Sequence, residues 1–440
     1  MKNLKRGGLA CLFVVVSICF SIYPPGFPPF QGSFQAYAQE AGFFGEVFHV
    51  PEAFDPDYEE MERKFKIFVY PHNTSSCSNP RTLDGEYGNE GLFYLNLNLS
   101  RFLTKDPEKA HLFLIPISCH SLPAGRSEDE RAISVEDFVK NLISKYPYWN
   151  RTLGADHFFV TCADINVTAT ARIANLMKNS IKVMCTPSYN DEYVPHKDVS
   201  LPQRVPPLAL PPAANNITNR ITLAFWRGLN NSDIRQKLLE AWENDLELFI
   251  QRGRDPSIED GDLVYHEAFN NSKYCICPGG PELDRTIALA IHYGCVPVIL
   301  SDYYDFPFND VLDWNNFSVI LKEEHVPNLE KILKGIPEEN YKKMHQNVLQ
   351  VRKHFQWNSL PVKYDLFRMI MYELWLRRHI INEAFIYEAI VIFCSSNGCE
   401  ELIFPRYVEQ KHSLQNPTWL NKVNQRHPLS NPAKRNSVQN

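Results

Sequence analysis

Short apolar runs, each long enough for one buried strand, recur along this chain in two series divided by a proline-rich segment. Phe65-Lys-Ile-Phe-Val-Tyr70, His111-Leu-Phe-Leu-Ile-Pro116, His157-Phe-Phe-Val-Thr161 and Ile181-Lys-Val-Met-Cys185 form the first series. Val135 to Tyr146, between the second and third runs, carries Phe138, Val139, Leu142 and Ile143 at helical spacing. Strands alternating with helices imply βαβ units and a parallel sheet. Leu201 to Ala214 contains Pro202, Pro206, Pro207, Pro211 and Pro212, so it continues neither a helix nor a central strand and marks the internal boundary. The pattern then restarts with strands at Ile221 to Trp226, Leu246 to Ile250, Tyr274 to Cys277 and Val296 to Leu300, and helices at Ser232 to Glu243, Tyr265 to Asn271 and Arg285 to Tyr293. Two α/β halves predict paired Rossmann-like domains facing a cleft. Asn328 to Gly335, Glu338 to Phe355 and Leu366 to His379 are helical, and the last is placed to cross back and brace the halves.

A length of 440 residues fits two domains. With a net charge of −6 and no sustained Lys/Arg stripe, the chain lacks the electrostatic footprint of nucleic-acid binding, so a nucleotide would need a local pocket.

Lys2, Lys5 and Arg6 precede an uncharged stretch from Gly7 to Tyr23, which reads as an export signal or a membrane anchor. The cleavage-like triplet Ala36-Tyr37-Ala38 lies beyond Pro24 to Pro29, farther than a signal-peptide site sits, which favours an uncleaved anchor. The positive end then stays cytoplasmic and the rest is lumenal. Eight N-x-S/T sequons, at Asn73, Asn98, Asn150, Asn166, Asn216, Asn230, Asn270 and Asn316, fit the secretory route. Nine cysteines follow the anchor, an odd number whose connectivity is not legible. Cys275 and Cys277 have no second Cys/His pair at zinc-finger spacing nearby, so no metal site is expected. The expected organisation is a cytoplasmic tail and signal anchor over 1–23, a stem over 24–63, domains over 64–214 and 215–387 with the bracing helix in the second, and a poorly ordered tail over 388–440.

The densest chemical feature is Ser272-Lys-Tyr-Cys-Ile-Cys-Pro-Gly-Gly280, followed by a helix and Gly294-Cys-Val-Pro-Val-Ile-Leu300. A strand ending in Pro278, Gly279 and Gly280 before a helix offers backbone N–H groups and the positive end of a helix dipole to a diphosphate. The same turn also serves an ordinary βα connection.

Cys275-Ile-Cys-Pro-Gly-Gly280, Ile291-His-Tyr-Gly-Cys-Val-Pro-Val298, Ser301-Asp-Tyr-Tyr-Asp-Phe-Pro-Phe308 and Val362-Lys-Tyr-Asp-Leu-Phe367 resemble segments of the plant exostosin-like glycosyltransferases, glycosyltransferase family 47. So do Ile67-Phe-Val-Tyr70 with Pro71, Gly154-Ala-Asp-His-Phe-Phe-Val160 and Pro195-His-Lys-Asp-Val-Ser-Leu-Pro202. The resemblance runs from about Lys64 to Arg378. It implies a GT-B-like fold of two Rossmann-like domains behind an N-terminal membrane anchor helix, in a type II Golgi protein. It implies inverting transfer from a nucleotide sugar, a UDP-sugar, to a cell-wall polysaccharide or glycan, without a catalytic metal. Asp302 and Asp305 accordingly read as turn formers.

Arg235 and Lys273 match basic positions of the family and would stabilise the departing diphosphate, though each also suits a solvated surface charge. An Arg and, three residues on, an acid are usual in the helix before Gly-Cys-Val-Pro-Val; Thr286 and Leu289 stand there, which leaves Arg285 one residue earlier and Glu282 and Asp284 in the preceding loop as substitutes. Ala163 replaces the usual His of Cys-His-Asp-x-Gly. A general base must take the acceptor proton, and His157 and Asp164 are the candidates, with His157 also reading as a core histidine in its apolar run. These departures motivate a second reading, a catalytically weakened partner or scaffold in a glycosyltransferase complex. A secreted lectin-like binder would require cleavage after Ala38.

Overall fold

Apolar residues on both faces of nearly every strand drive two fully parallel sheets, because a parallel sheet is covered on both sides by its crossover helices. The computed structural model of the chain describes residues 45–379 and 381, apart from 72–82, 84–87, 118–126, 163–169, 171, 186, 189–192, 206–215, 244, 246, 254–262 and 281. The expected anchor over 1–23, the tail over 388–440 and most of the proline-rich boundary lie outside the described residues.

The first sheet comprises β1 (Ile67–Val69), β2 (Leu103–Thr104), β3 (Leu112–Leu114), β4 (His157–Thr161), β5 (Ile181–Met184) and β6 (Val199–Ser200), in the order β2-β1-β3-β4-β5-β6. The second comprises β7 (Thr222–Gly228), β8 (Leu248–Arg252), β9 (Ser272–Pro278), β10 (Val296–Leu300) and β11 (Val319–Leu321), in the order β11-β10-β9-β7-β8. Read from the start of each series, the first five strands of each sheet share one doubly wound order, 2-1-3-4-5, in which direction reverses beside the first strand. All pairings are parallel, as the alternating pattern requires.

Ten helices among the described residues cover the sheets: α1 (Pro51–Lys64), α2 (Gly88–Leu99), α3 (Glu128–Lys145), α4 (Ala174–Asn179), α5 (Asp233–Trp242), α6 (Leu263–Asn271), α7 (Leu283–Tyr293), α8 (Leu329–Lys334), α9 (Glu338–Val351) and α10 over residues 366–379. Phe68, Phe113 and Phe159 of the first sheet pack with Val135, Val139 and Leu142 of α3. The alternate residues Ile67, Leu112, Leu114 and Phe158 join the core shared with α2, α10 and the second sheet, as the two-residue period of a strand dictates.

Residues 51–63, placed in the stem by sequence reading, belong to the packed helix α1. Pro51 occupies its first turn, where a missing N–H is not needed, and three of the helix's acidic residues, Asp55, Asp57 and Glu62, face partners. Tyr364 and Tyr372 donate from their hydroxyls to Asp55 and Asp57, Trp375 donates its indole N–H to Asp57 at 3.0 Å, and Glu62 is ion-paired to both Arg101 and Arg368. The Tyr58 ring lies 4.6 Å from that of Tyr364, and the Tyr58 hydroxyl accepts the Tyr364 backbone N–H at 3.0 Å. Helix α10 then returns to the first sheet, with Phe367 against Phe93 and Phe102, and Trp375 against Phe65.

Tyr58→Ala should therefore lower stability by about 3 to 5 kcal/mol, the cost of emptying a buried aromatic site. Tyr58→Phe, which removes only the hydroxyl, should cost about 1 kcal/mol. Chemical denaturation of the two variants checks the ordering, and equal losses would contradict the packing role of the ring.

Candidate functional site

In a doubly wound sheet ligands bind outside the carboxyl ends of the strands, where strand order reverses. In the second sheet this point lies between β7 and β9, and the Pro-Gly-Gly turn leaves β9 there. The turn is fixed on three sides. Gly279 donates its N–H to the Leu300 carbonyl at 2.8 Å, Ser232 donates its hydroxyl to the Gly279 carbonyl at 2.9 Å, and Leu283 N–H returns to the Gly280 carbonyl at 3.3 Å. Gly280 has φ 102°, and a Cβ there would lie 2.7 Å from that of Ser232. Glu282, at φ 69°, then opens α7, whose N-terminal turn faces the same edge. At its other end α7 stops at Gly294, also left-handed, and Cys295 is disulfide-bonded to Cys275 across the two neighbouring strands.

Beneath the turn lies Arg235, in the first part of α5 and only 1% exposed. Its Nη1 donates to Asn231 Oδ1 at 2.8 Å and meets Glu282 Oε2 at 3.4 Å, and its guanidinium sits 5.9 Å from the Trp226 ring centroid. Of the donor residues expected from sequence, Arg235, Pro278, Gly279, Gly280 and Glu282 thus come together, and half-buried Arg285 is in the adjoining helical turn. Lys273 does not join them. It is the second residue of β9, five positions before Pro278 and so roughly 16 Å away along an extended strand, where it pairs with Glu338 at 2.9 Å.

His157 is likewise corrected. It begins β4, at the edge opposite the strand ends, and is fully buried. Its Nε2 and the Tyr70 hydroxyl share a 2.6 Å hydrogen bond, its Nδ1 lies 2.7 Å from Asp156 Oδ1, and its ring stacks on Phe113. With both nitrogens engaged in the core it has no access to an acceptor. Asp164 and Ala163 lie outside the described residues. Leu289 is fully buried in the core, and the Thr286 hydroxyl donates to the Glu282 carbonyl at 3.0 Å, so neither reaches a ligand.

Sequence reading named Asp284 only as a substitute acid in the loop before the helix, and it missed the groups through which Asp284 links this turn to the first sheet. Asp284, in the first turn of α7, accepts a short hydrogen bond from the Tyr304 hydroxyl, and burial pushes its carboxyl up to about 7 despite that bond. Asp305, the next residue, donates its N–H to the Pro187 carbonyl at 3.0 Å, and Ser188 bridges to Tyr304. Here the strand-end loops of the two sheets meet around a cavity of about 70 Å³, walled by Tyr193, His196 and Ser200 on one side and Asp305, Phe306 and Phe308 on the other, with Glu373 and Arg377 of α10 also lining it. Glu373 is 3% exposed, and burial raises its carboxyl to about 7, against the pull of Arg377 and with Asp310 and Asp305 adding to the rise. The signal available in sequence was Glu373, the only acid of this helix, four residues before Arg377. No group of His, Cys, Asp and Glu among the described residues is arranged to hold a metal ion.

Two outcomes follow. Gly280→Ala should cost about 1 to 3 kcal/mol from strain and collision; Ser232→Gly, which removes the colliding atoms, should restore part of it in a double-mutant cycle, and strict additivity would contradict the contact. Between pH 8 and 6.5, Asp284 and Glu373 gain protons in the folded state while the unfolded chain's carboxyls stay ionised, so stability should rise by about 1 to 2 kcal/mol as pH falls. Below pH 6.5, His111 and His354, held down by burial to about 4 and about 3, protonate only on unfolding and cancel the further gain, so the curve flattens. Melting temperatures across this range, in the wild type and in D284N/E373Q, measure the effect; an equal slope in both would refute it.

Comparison with known proteins meets this geometry. The Exostosin GT47 domain family matches residues 61–336. An Arabidopsis thaliana protein named "Probable glycosyltransferase At3g07620" is 36% identical over 350 residues, covering 76% of this chain and 73% of that protein. Another from the same plant, "Probable glycosyltransferase At5g03795", is 35% identical over 350 residues, covering 76% and 66%. "Probable beta-1,4-xylosyltransferase IRX10L", also from Arabidopsis thaliana, is 28% identical over 306 residues, covering 63% and 72%. With its two parallel sheets and the Gly turn at the switch point of the second, this chain belongs to the exostosin-like glycosyltransferases of family GT47 and is a plant-type glycosyltransferase.

Proposed function

We propose that this glycosyltransferase moves a sugar from a UDP-sugar to a cell-wall polysaccharide or glycan, with inversion at the anomeric carbon, on the lumenal face of the Golgi membrane. The convergence of Gly279, Gly280, Arg235 and Glu282 at the switch point carries the reading. Residues without side chains let a diphosphate approach the backbone, and the positive end of α7 and the buried charge of Arg235 stabilise it as the bond to the sugar breaks. These fixed charges would take the place of a metal ion. Glu282, with a third of its side chain exposed, is placed to accept ribose hydroxyls. The acceptor hydroxyl attacks from the opposite face and gives its proton to a base, for which Asp164, two residues beyond Cys162, remains the candidate. Relatives named for xylosyl and glucuronosyl transfer support a cell-wall substrate. The apolar stretch after Lys2, Lys5 and Arg6 supports a signal anchor over 1–23 in a type II orientation.

A second reading, a weakened member acting as a partner within a glycosyltransferase complex, is favoured by one observation. The positions usually held by an Arg and an acid carry Thr286, bonded to its own helix, and fully buried Leu289.

Full-length protein in detergent should be stabilised by UDP, by about 2.7 kcal/mol at 100 times its dissociation constant. Glu282→Gln should weaken UDP binding about tenfold, and Arg235→Ala should remove most of the stabilisation. The absence of a shift with any nucleotide sugar would sink the enzyme reading; UDP binding with neither hydrolysis nor transfer would select the second.

A further inference from the structure

The cavity between the two sheets has a chemistry unlike that of the Gly turn. Its walls carry Asp305, Asp310 and Glu373 against one guanidinium, that of Arg377. Arg377 is already engaged by Asp310 at 2.8 Å, by the carbonyls of Pro195 and Asp198, and by Glu373 Oε2 at 3.2 Å. An anion would meet net repulsion here, which excludes the diphosphate. The other Glu373 oxygen, Oε1, is buried and accepts no hydrogen bond from any described residue. A buried acceptor of this kind favours a ligand that brings a donor. Tyr193, Phe306 and Phe308 add apolar surface to the walls. Carboxylate acceptors beside aromatic surface match a neutral molecule with hydroxyl donors on its rim and C–H groups on its faces. At about 70 Å³ the space holds roughly two water-sized groups, the hydroxyls along one edge of a sugar ring.

We propose that this cavity is a saccharide subsite for the acceptor, in which Glu373 Oε1 accepts a hydrogen bond from a sugar hydroxyl. The proposal rests on the glycosyltransferase reading above and adds to it where the acceptor is gripped. The placement suits that role. The 304–310 loop carries Tyr304, bonded to Asp284 beside the Gly turn, and then Asp305 on the cavity wall, so one loop separates the two sites.

The test uses full-length protein in detergent on an array of xylan, mannan, galactan and xyloglucan oligosaccharides, with UDP binding measured in parallel. Wild type should bind at least one oligosaccharide class. At pH 8, where Glu373 is mostly ionised and only accepts, Glu373→Gln, which keeps the shape and puts an amide donor in place of one oxygen, should weaken that binding at least tenfold while UDP still binds. Asn309→Trp, on the exposed rim and away from the core, should block it equally, which covers the case of an E373Q protein that folds poorly. Oligosaccharide binding unchanged in both variants, or wild type that binds UDP but no oligosaccharide, overturns the subsite. Binding that appears only with an added divalent cation overturns it in favour of a cation site. Loss of both UDP and oligosaccharide binding by wild type sinks the glycosyl-transfer reading as well.

Discussion

One guanidinium ties the ends of both sheets together. Arg377, only 5% exposed on the returning helix α10, donates to the carbonyls of Pro195 and Asp198 from the first sheet's loops and to Asp310 from the second's, and pairs with Glu373 one turn earlier. A buried cation with so many partners is costly to disturb, because the Asp198 carbonyl and the Glu373 carboxylate it leaves would stay buried. The strand-end loops meet because α10 comes back to this point, and α10 is held there by the aromatic and acidic face of α1. The approach of the two strand edges therefore depends on residues from both ends of the described chain.

Much of this was legible in sequence, because a parallel sheet writes itself as apolar runs. The runs at His157 to Thr161 and Val296 to Leu300 coincide with β4 and β10, and Phe65 to Tyr70 and His111 to Pro116 enclose β1 and β3. The Gly turn was legible for a different reason: a left-handed residue next to a close side chain restricts the choice to glycine. Edge strands of two residues, such as β2 and β6, were not, since a run that short has no period.

The misreadings share one cause, that charge and polarity say little about where a residue sits. The acidic segment at Glu52 to Glu62 looked like a solvated stem because its partners, Arg101, Tyr364, Arg368, Tyr372 and Trp375, are remote in sequence. Lys273 looked like a phosphate ligand because it matches a basic position of the family, whereas an extended strand carries it to the other edge. His157 met the chemical requirement for a base, but its apolar run also read as core, and the position of β4 and its two bonded nitrogens settle on the core reading. Glu373 was missed because an acid in an apolar helix reads as an interruption until Arg377 and the strand-end loops surround it.

The bond between Cys275 and Cys295 links residues 20 apart and encloses the end of β9, the Gly turn and the whole of α7. Both ends of this stretch are thus fastened to each other independently of anything the first sheet contributes. A separation of the sheets wide enough to release a product would carry the closed ring along as one piece, with the turn's hydrogen bonds to Leu300 and Ser232 inside the same half. The Gly turn would then keep its shape through every opening between the sheets, whereas the cavity at Glu373, lined from both, would have to be assembled anew each time.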